Sequence, residues 1–145
     1  MTDLNLNNAV HLLIVEDDDN HAELIQCHLA EVGIKNNIIR FNNGEEAWDF
    51  LNNKQTTSNK CYLILLDIRM PKMSGVELLT KIKEDDSLKK IPIIMLTTTD
   101  DDREIDECYR LGCNCYITKP LDFKKFTETL TRLGLFLQII QLSKN

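Results

Sequence analysis

Glu16, Asp17, Asp67, Thr97 and Lys119 each stand at the end of a short apolar run: "HLLIV" leads into "EDDD", "LILL" into Asp67, "IPIIML" into "TTT", and "CYIT" into Lys119 and Pro120. Carboxylates gathered in one place repel one another unless a cation lies among them. A few hard oxygen donors suit Mg2+, which keeps several waters and accepts phosphate oxygens as further ligands. Asp17 and Asp67 are expected to bind the ion directly and Glu16 through a water, with the backbone carbonyl of Arg69 completing the protein's share. Such an ion beside a carboxylate, with a hydroxyl and an ammonium group at hand, is an arrangement for phosphoryl transfer. Asp67 would attack the phosphorus in line to give an aspartyl phosphate, and Thr97 and Lys119 would help the metal meet the charge on the phosphoryl oxygens.

Each residue taken singly has a plainer explanation. Asp18 or Asp19 makes a good helix N-cap, and acidic residues are favoured at helix N-termini. A threonine at a strand end usually bonds the backbone, and a lysine beside a proline is usually solvated. These explanations suffice for Asp18 and Asp19, but they leave the gathering of Asp67, Thr97 and Lys119 at separate strand ends as coincidence.

The elements that must carry these residues alternate regularly. Residues 11–15, 38–41, 61–66, 91–97 and 115–118 read as strands, bounded by turn residues and too short for helices. Helical periodicity separates them: Leu24, Ile25, Leu29 and Val32, ending at Gly33; then Ala47, Trp48 and Leu51; then Val76, Leu79 and Ile82. Ile105, Cys108, Tyr109 and Gly112 mark a fourth helix, and a fifth opens near Asp122. Strict alternation implies an α/β protein, a doubly wound (βα)5 fold around a five-stranded parallel sheet. In flavodoxin-like strand order, strands one, three, four and five are neighbours, so their polar ends converge where open sheets bind ligands. Residues 53–60, "NKQTTSNK", read as a polar loop, and residues 1–9 as a loosely held terminus.

Composition narrows the partners. A formal charge of −6 and a pI near 5.0 give no attraction for nucleic acid or an anionic membrane surface. Nothing resembles a signal peptide or a membrane span, and the five cysteines lack C-x-x-C spacing, which points to the cytoplasm. Cys113 and Cys115 have no matching Cys/His pair elsewhere and read as small packing residues.

In combination, "LLIVEDDD", "LILLDIRMPKMSG", "IPIIMLTTTD" and "CYITKP" resemble the signature segments of a response-regulator receiver domain, the phosphoacceptor module of two-component signalling. The likeness runs from about residue 11 to about residue 133. It implies Glu16 and Asp17 as the acidic pair, Asp67 as phosphoacceptor, Thr97 as the switch hydroxyl, Tyr116 as the aromatic switch residue and Lys119 as the phosphate-contacting lysine. It also implies a cis bond between Lys119 and Pro120. One departure is Thr98, where the family often carries Ala or another small residue. Such a protein is not a classical enzyme: it catalyses its own phosphotransfer and autodephosphorylation, with Mg2+ as cofactor and a sensor histidine kinase as donor.

The expected organisation is a terminus over 1–9, a receiver domain over 10–133 and a C-terminal extension of the last helix over 134–145. The residues after strand five suffice for one helix and a tail, so a stand-alone receiver is expected. "NNGEEAWDFLNNK", the polar loop and the ending "LGLFLQIIQL" are most similar to small regulators paired with cyanobacterial phytochrome kinases. In the tail, Phe126, Leu130, Leu133, Leu137 and Ile140 form one apolar stripe and Leu135, Phe136, Ile139 and Leu142 a second. A helix apolar on two sides has to bury both, which predicts a two-fold homodimer formed with part of the fourth helix and strand five. The alternative is a break at Gly134 with the tail folded back on its own domain.

Other classes fit less well. An FMN carrier needs a Ser/Thr/Gly-rich phosphate loop after strand one, where this chain has carboxylates. A haloacid-dehalogenase-type phosphatase has a second Asp two residues after its nucleophile, where this chain has Arg69. A phosphorelay intermediate stays open as an alternative, as does a non-phosphorylated interaction module, although the latter would be expected to lack some of the site residues.

Overall fold

The computed structural model describes residues 10–31, 36–57, 60–97, 101–118, 124, 125, 128 and 132, with Thr56 and Thr97 described for their backbone alone. Five parallel strands form one sheet in the order β2-β1-β3-β4-β5: β1 Val10–Val15, β2 Ile38–Phe41, β3 Cys61–Asp67, β4 Ile93–Thr97 and β5 Cys115–Thr118. The helices are α1 Asp19–Glu31, α2 Gly44–Leu51, the short α3 Lys54–Thr57, α4 Gly75–Glu84 and α5 Asp102–Leu111. Residues 124, 125, 128 and 132 are helical as well, and Asp122, where the opening of a fifth helix is expected, lies outside the described residues.

The strands are nearly all apolar because both sheet faces are covered, as a parallel sheet requires. Alternation divides the core in two. Leu13, Val15, Ile64, Leu66, Ile93, Met95 and Tyr116 pack with Ala47 and Leu51 of α2, Leu78, Leu79 and Ile82 of α4, and Cys108 of α5. On the opposite face, Val10, Leu12, Ile14, Leu63, Leu65, Ile94, Leu96 and Ile117 pack with Ile25 and Leu29 of α1. Helices on both faces of a parallel sheet are the doubly wound arrangement that the alternation predicts.

Several expectations need correction. The polar segment 53–60 is not a loop throughout, because Lys54–Thr57 forms α3. Polar contacts hold it where apolar periodicity is absent. The buried Thr57 hydroxyl reaches the carbonyls of Asn53 and Leu51, while Lys54 Nζ donates to Asp85 Oδ2 at 2.8 Å and to Ser87 Oγ at 2.7 Å. Those bonds from Lys54 and Ser87 hold the Asp85 carboxyl at about 2, below the usual carboxylate range. Leu24 and Tyr109 lie in the helices that they help to mark but are exposed. Strand β4 opens at Ile93, since the Ile91 N–H bonds back to Leu88 in the preceding turn. Val32, Gly33, Lys119, Pro120 and the apolar stripes of the tail lie outside the described residues.

Candidate phosphoacceptor site

Asp67 is the last residue of β3 and only 7% exposed. Its neighbour across the ladder is Leu96, so Thr97 stands one residue further out on β4, opposite Thr118, the residue before Lys119. On the other side Val15, the last residue of β1, pairs with Leu66, and Glu16, the residue after it, therefore leaves the sheet at the level of Asp67. Strand register alone thus brings four strand ends, those of β1, β3, β4 and β5, to one edge. Glu16, Asp17 and Asp67 each offer a carboxylate oxygen within 4.8 Å of one another, with Glu16 and Asp67 buried and Asp17 exposed. All the donors are hard oxygens, one side of the group is open to solvent, and the spacing allows one small ion to be shared; Mg2+ or Mn2+ fits this donor set.

The loops are set by local chemistry. Asp18 caps α1, its Oδ1 accepting from the N–H groups of Asn20 at 2.9 Å and His21 at 3.1 Å. Asp19 is thereby released from capping and pairs instead with Arg40. His21 Nδ1 lies 3.6 Å from Glu16 Oε1. Beyond β3 the chain bends at Lys72, whose φ of 68° lies in the left-handed region, with the Met73 N–H bonded to Pro71 O at 2.8 Å. Gly75 is required by a close approach rather than by a turn. Its N–H donates to Ile68 O at 2.7 Å, and a β-carbon there would lie 2.1 Å from Asp67 O. Gly75 therefore lets α4 start directly against the residue that carries the acceptor carboxylate. Ser74 caps that helix by accepting from the Glu77 N–H.

Arg69, expected to offer its carbonyl, sends its side chain to α5, where Nη2 donates to Glu104 Oε2 at 2.9 Å. Nearby, Asp101 caps α5. The Arg103 N–H holds its carboxyl below the usual range, with smaller help from the Arg103 side chain and the charge of Arg69. Tyr116 is buried in the core two positions before Thr118, paired with Met95. The side chain of Thr97 and all of Lys119 lie outside the described residues. Sequence reasoning missed His21 and Arg40. The available signal for Arg40 was a charged residue between Ile39 and Phe41 in a very short strand.

Residues 12–131 match the Response regulator receiver domain family. The chain belongs to that family. Among curated relatives, the response regulator Rcp1 of Synechocystis sp. is 36% identical over 115 residues, covering 78% of each chain. The receiver domain of a response regulator from Rhodospirillum rubrum superposes with a TM-score of 0.75 at 38% identity, covering 89% of this chain and 94% of that one. The phosphorylated cyanobacterial phytochrome response regulator RcpA gives 0.73 at 32%, covering 88% and 93%. The Mn(2+)-bound form of Rcp1 gives 0.71 at 33%, covering 85% and 90%. A receiver domain is a phosphoacceptor of two-component signalling and works with a histidine kinase rather than as a classical enzyme. Among the described residues no helix is long and apolar enough to cross a membrane.

Proposed function

We propose that this receiver accepts a phosphoryl group on Asp67 from a histidine kinase and uses it to switch a protein-binding face. The observation that carries the reading is the close group formed by Glu16, Asp17 and Asp67 at the ends of β1 and β3. Asp67 is mounted on a buried strand, so its carboxylate meets an incoming phosphorus with little freedom left to lose. An oxygen of Asp67 forms the new bond to phosphorus as the bond to the donor's imidazole nitrogen breaks, and that nitrogen keeps the electron pair. Asp17, Asp67, the carbonyl of Arg69 and, through water, Glu16 would hold Mg2+. When bound, the ion offsets the negative charge of the carboxylates and of the phosphoryl oxygens. Lys119 and the Thr97 hydroxyl are proposed to contact those oxygens. The movement of Thr97 toward the phosphoryl group is then read out by Tyr116, which belongs to the same core cluster as the α5 residue Cys108.

Likeness to RcpA and Rcp1 supports a phytochrome-type kinase as the donor. The chemistry is tested by incubating the protein with a small acyl phosphate and following its intact mass. One phosphoryl group is expected in the presence of Mg2+ and none after chelation; equal uptake in both would contradict the metal's part. Phosphotransfer from a panel of purified kinases tests the partner.

The apolar residues Leu135, Phe136, Ile139 and Leu142 support a homodimer. Each such side chain buried between two copies contributes about 1.5–3 kcal/mol before association costs. Sedimentation at micromolar concentration is expected to show a dimer that dissociates when Phe136 and Ile139 are both replaced by Asp. A monomer with or without phosphorylation would refute it.

A further inference from the structure

Where the β1–β2 ladder ends, a side chain from the edge strand β2 bonds a backbone group of the acidic loop. The β1–β2 pairing ends at Val15 and Phe41, and the Glu16 N–H makes the last bond to β2, donating to Phe41 O at 3.1 Å. Beyond Phe41 the chain leaves the sheet and turns into α2. The Glu16 carbonyl accepts from Arg40 Nη2 at 2.7 Å and from Arg40 Nε at 3.1 Å. Strand alternation explains why Arg40 can reach it. Ile39 and Phe41 pack on the α2 face of the sheet, so Arg40 points to the α1 face, where its Nη1 also donates to Asp19 Oδ1 at 2.6 Å.

One guanidinium therefore ties the carbonyl of Glu16 to the first residue of α1, on either side of Asp17. The forked, planar group fixes direction as well as distance, which a lysine ammonium cannot do. The Asp19 contact adds little by itself, because that carboxylate is almost fully exposed. The bonds to the Glu16 carbonyl are the ones that hold the peptide plane joining Glu16 to Asp17.

We infer that Arg40 is a positioning residue for the divalent-metal site: it orients the Glu16–Asp17 peptide so that the two carboxylates meet Asp67 in a geometry ready for the ion. The inference rests on the proposed phosphoacceptor site and goes beyond it. It has a sign that separates it from a simple charge effect. A nearby cation repels Mg2+, so if Arg40 were only a charge, removing it would tighten metal binding. Loss of an orienting contact behind a metal ligand weakens binding, commonly by about 10-fold or more.

Calorimetric titration of the full chain with Mg2+ distinguishes the two. Arg40→Gln is expected to raise the Mg2+ dissociation constant about 10-fold, and Arg40→Lys, which keeps the charge, by a smaller factor. Phosphoryl uptake by Arg40→Gln is expected to return toward the wild-type rate at saturating Mg2+, because the acceptor itself is untouched. Wild-type or tighter Mg2+ binding by Arg40→Gln overturns the inference. Should that variant fail to fold, an unchanged dissociation constant in Arg40→Lys overturns it equally. Absence of Mg2+ binding by the wild-type protein would refute the underlying reading of the site, a result distinct from either.

Discussion

Asp67→Asn is expected to abolish phosphoryl uptake while leaving the fold intact. Asn keeps the size of the side chain but replaces an anionic oxygen nucleophile with a neutral amide, so the bond to phosphorus has no adequate donor. The substitution also removes one of three carboxylates crowded within 4.8 Å. Relief of that repulsion should hold the melting temperature at or above the wild-type value. Labelling with an acyl phosphate in Mg2+ should give an acid-stable, base-labile product in the wild type and none in the variant. Full labelling of the variant would mean that a different residue accepts the group.

Gly75→Ala should damage the protein more than its single added carbon suggests. The new β-carbon would meet the carbonyl oxygen of Asp67 at 2.1 Å, the α-carbon of Ile68 at 2.8 Å and the carbonyl carbon of Asp67 at 2.9 Å. All three are backbone atoms at the end of a central strand, so no side chain can swing away to relieve the overlap. Either β3 or the start of α4 has to shift. The expected cost is about 3 kcal/mol, at the upper end of overpacking effects. In a chain of this size that lowers the melting temperature by roughly 6–12 °C. Because the atoms displaced belong to Asp67, phosphoryl uptake should slow in whatever fraction stays folded. Thermal unfolding by circular dichroism checks the stability, and an unchanged melting temperature would show that the close approach of Gly75 to β3 is wrong.

Most of the frame was legible because parallel strands covered on both faces write themselves as uninterrupted apolar runs. The limits of β2 and β5 agree with the runs "IIRF" and "CYIT", and β3 ends on Asp67 where the apolar run stops. The acidic group followed from that reading once strand order was set, since register carries Glu16, Asp17 and Asp67 to one edge. What stayed hidden depends on tertiary contacts that have no local pattern. The α3 segment "KQTT" has no apolar stripe and is held by bonds to Asp85, Ser87 and its own backbone. Arg40 bonds a carbonyl just past the end of β1 and a carboxylate at the start of α1, both far from it in sequence. The role of Gly75 is a close approach to β3, which a glycine near a proline does not distinguish from an ordinary turn.

The most direct test of the central claim is to locate the phosphoryl group chemically. Borohydride reduction of the freshly phosphorylated protein converts an aspartyl phosphate to homoserine, and peptide mass spectrometry then identifies the altered position. Conversion at residue 67 alone, dependent on both the phosphodonor and Mg2+, is the predicted result. Conversion at Asp17 or at another carboxylate, with Asp67 recovered unchanged, would contradict the account.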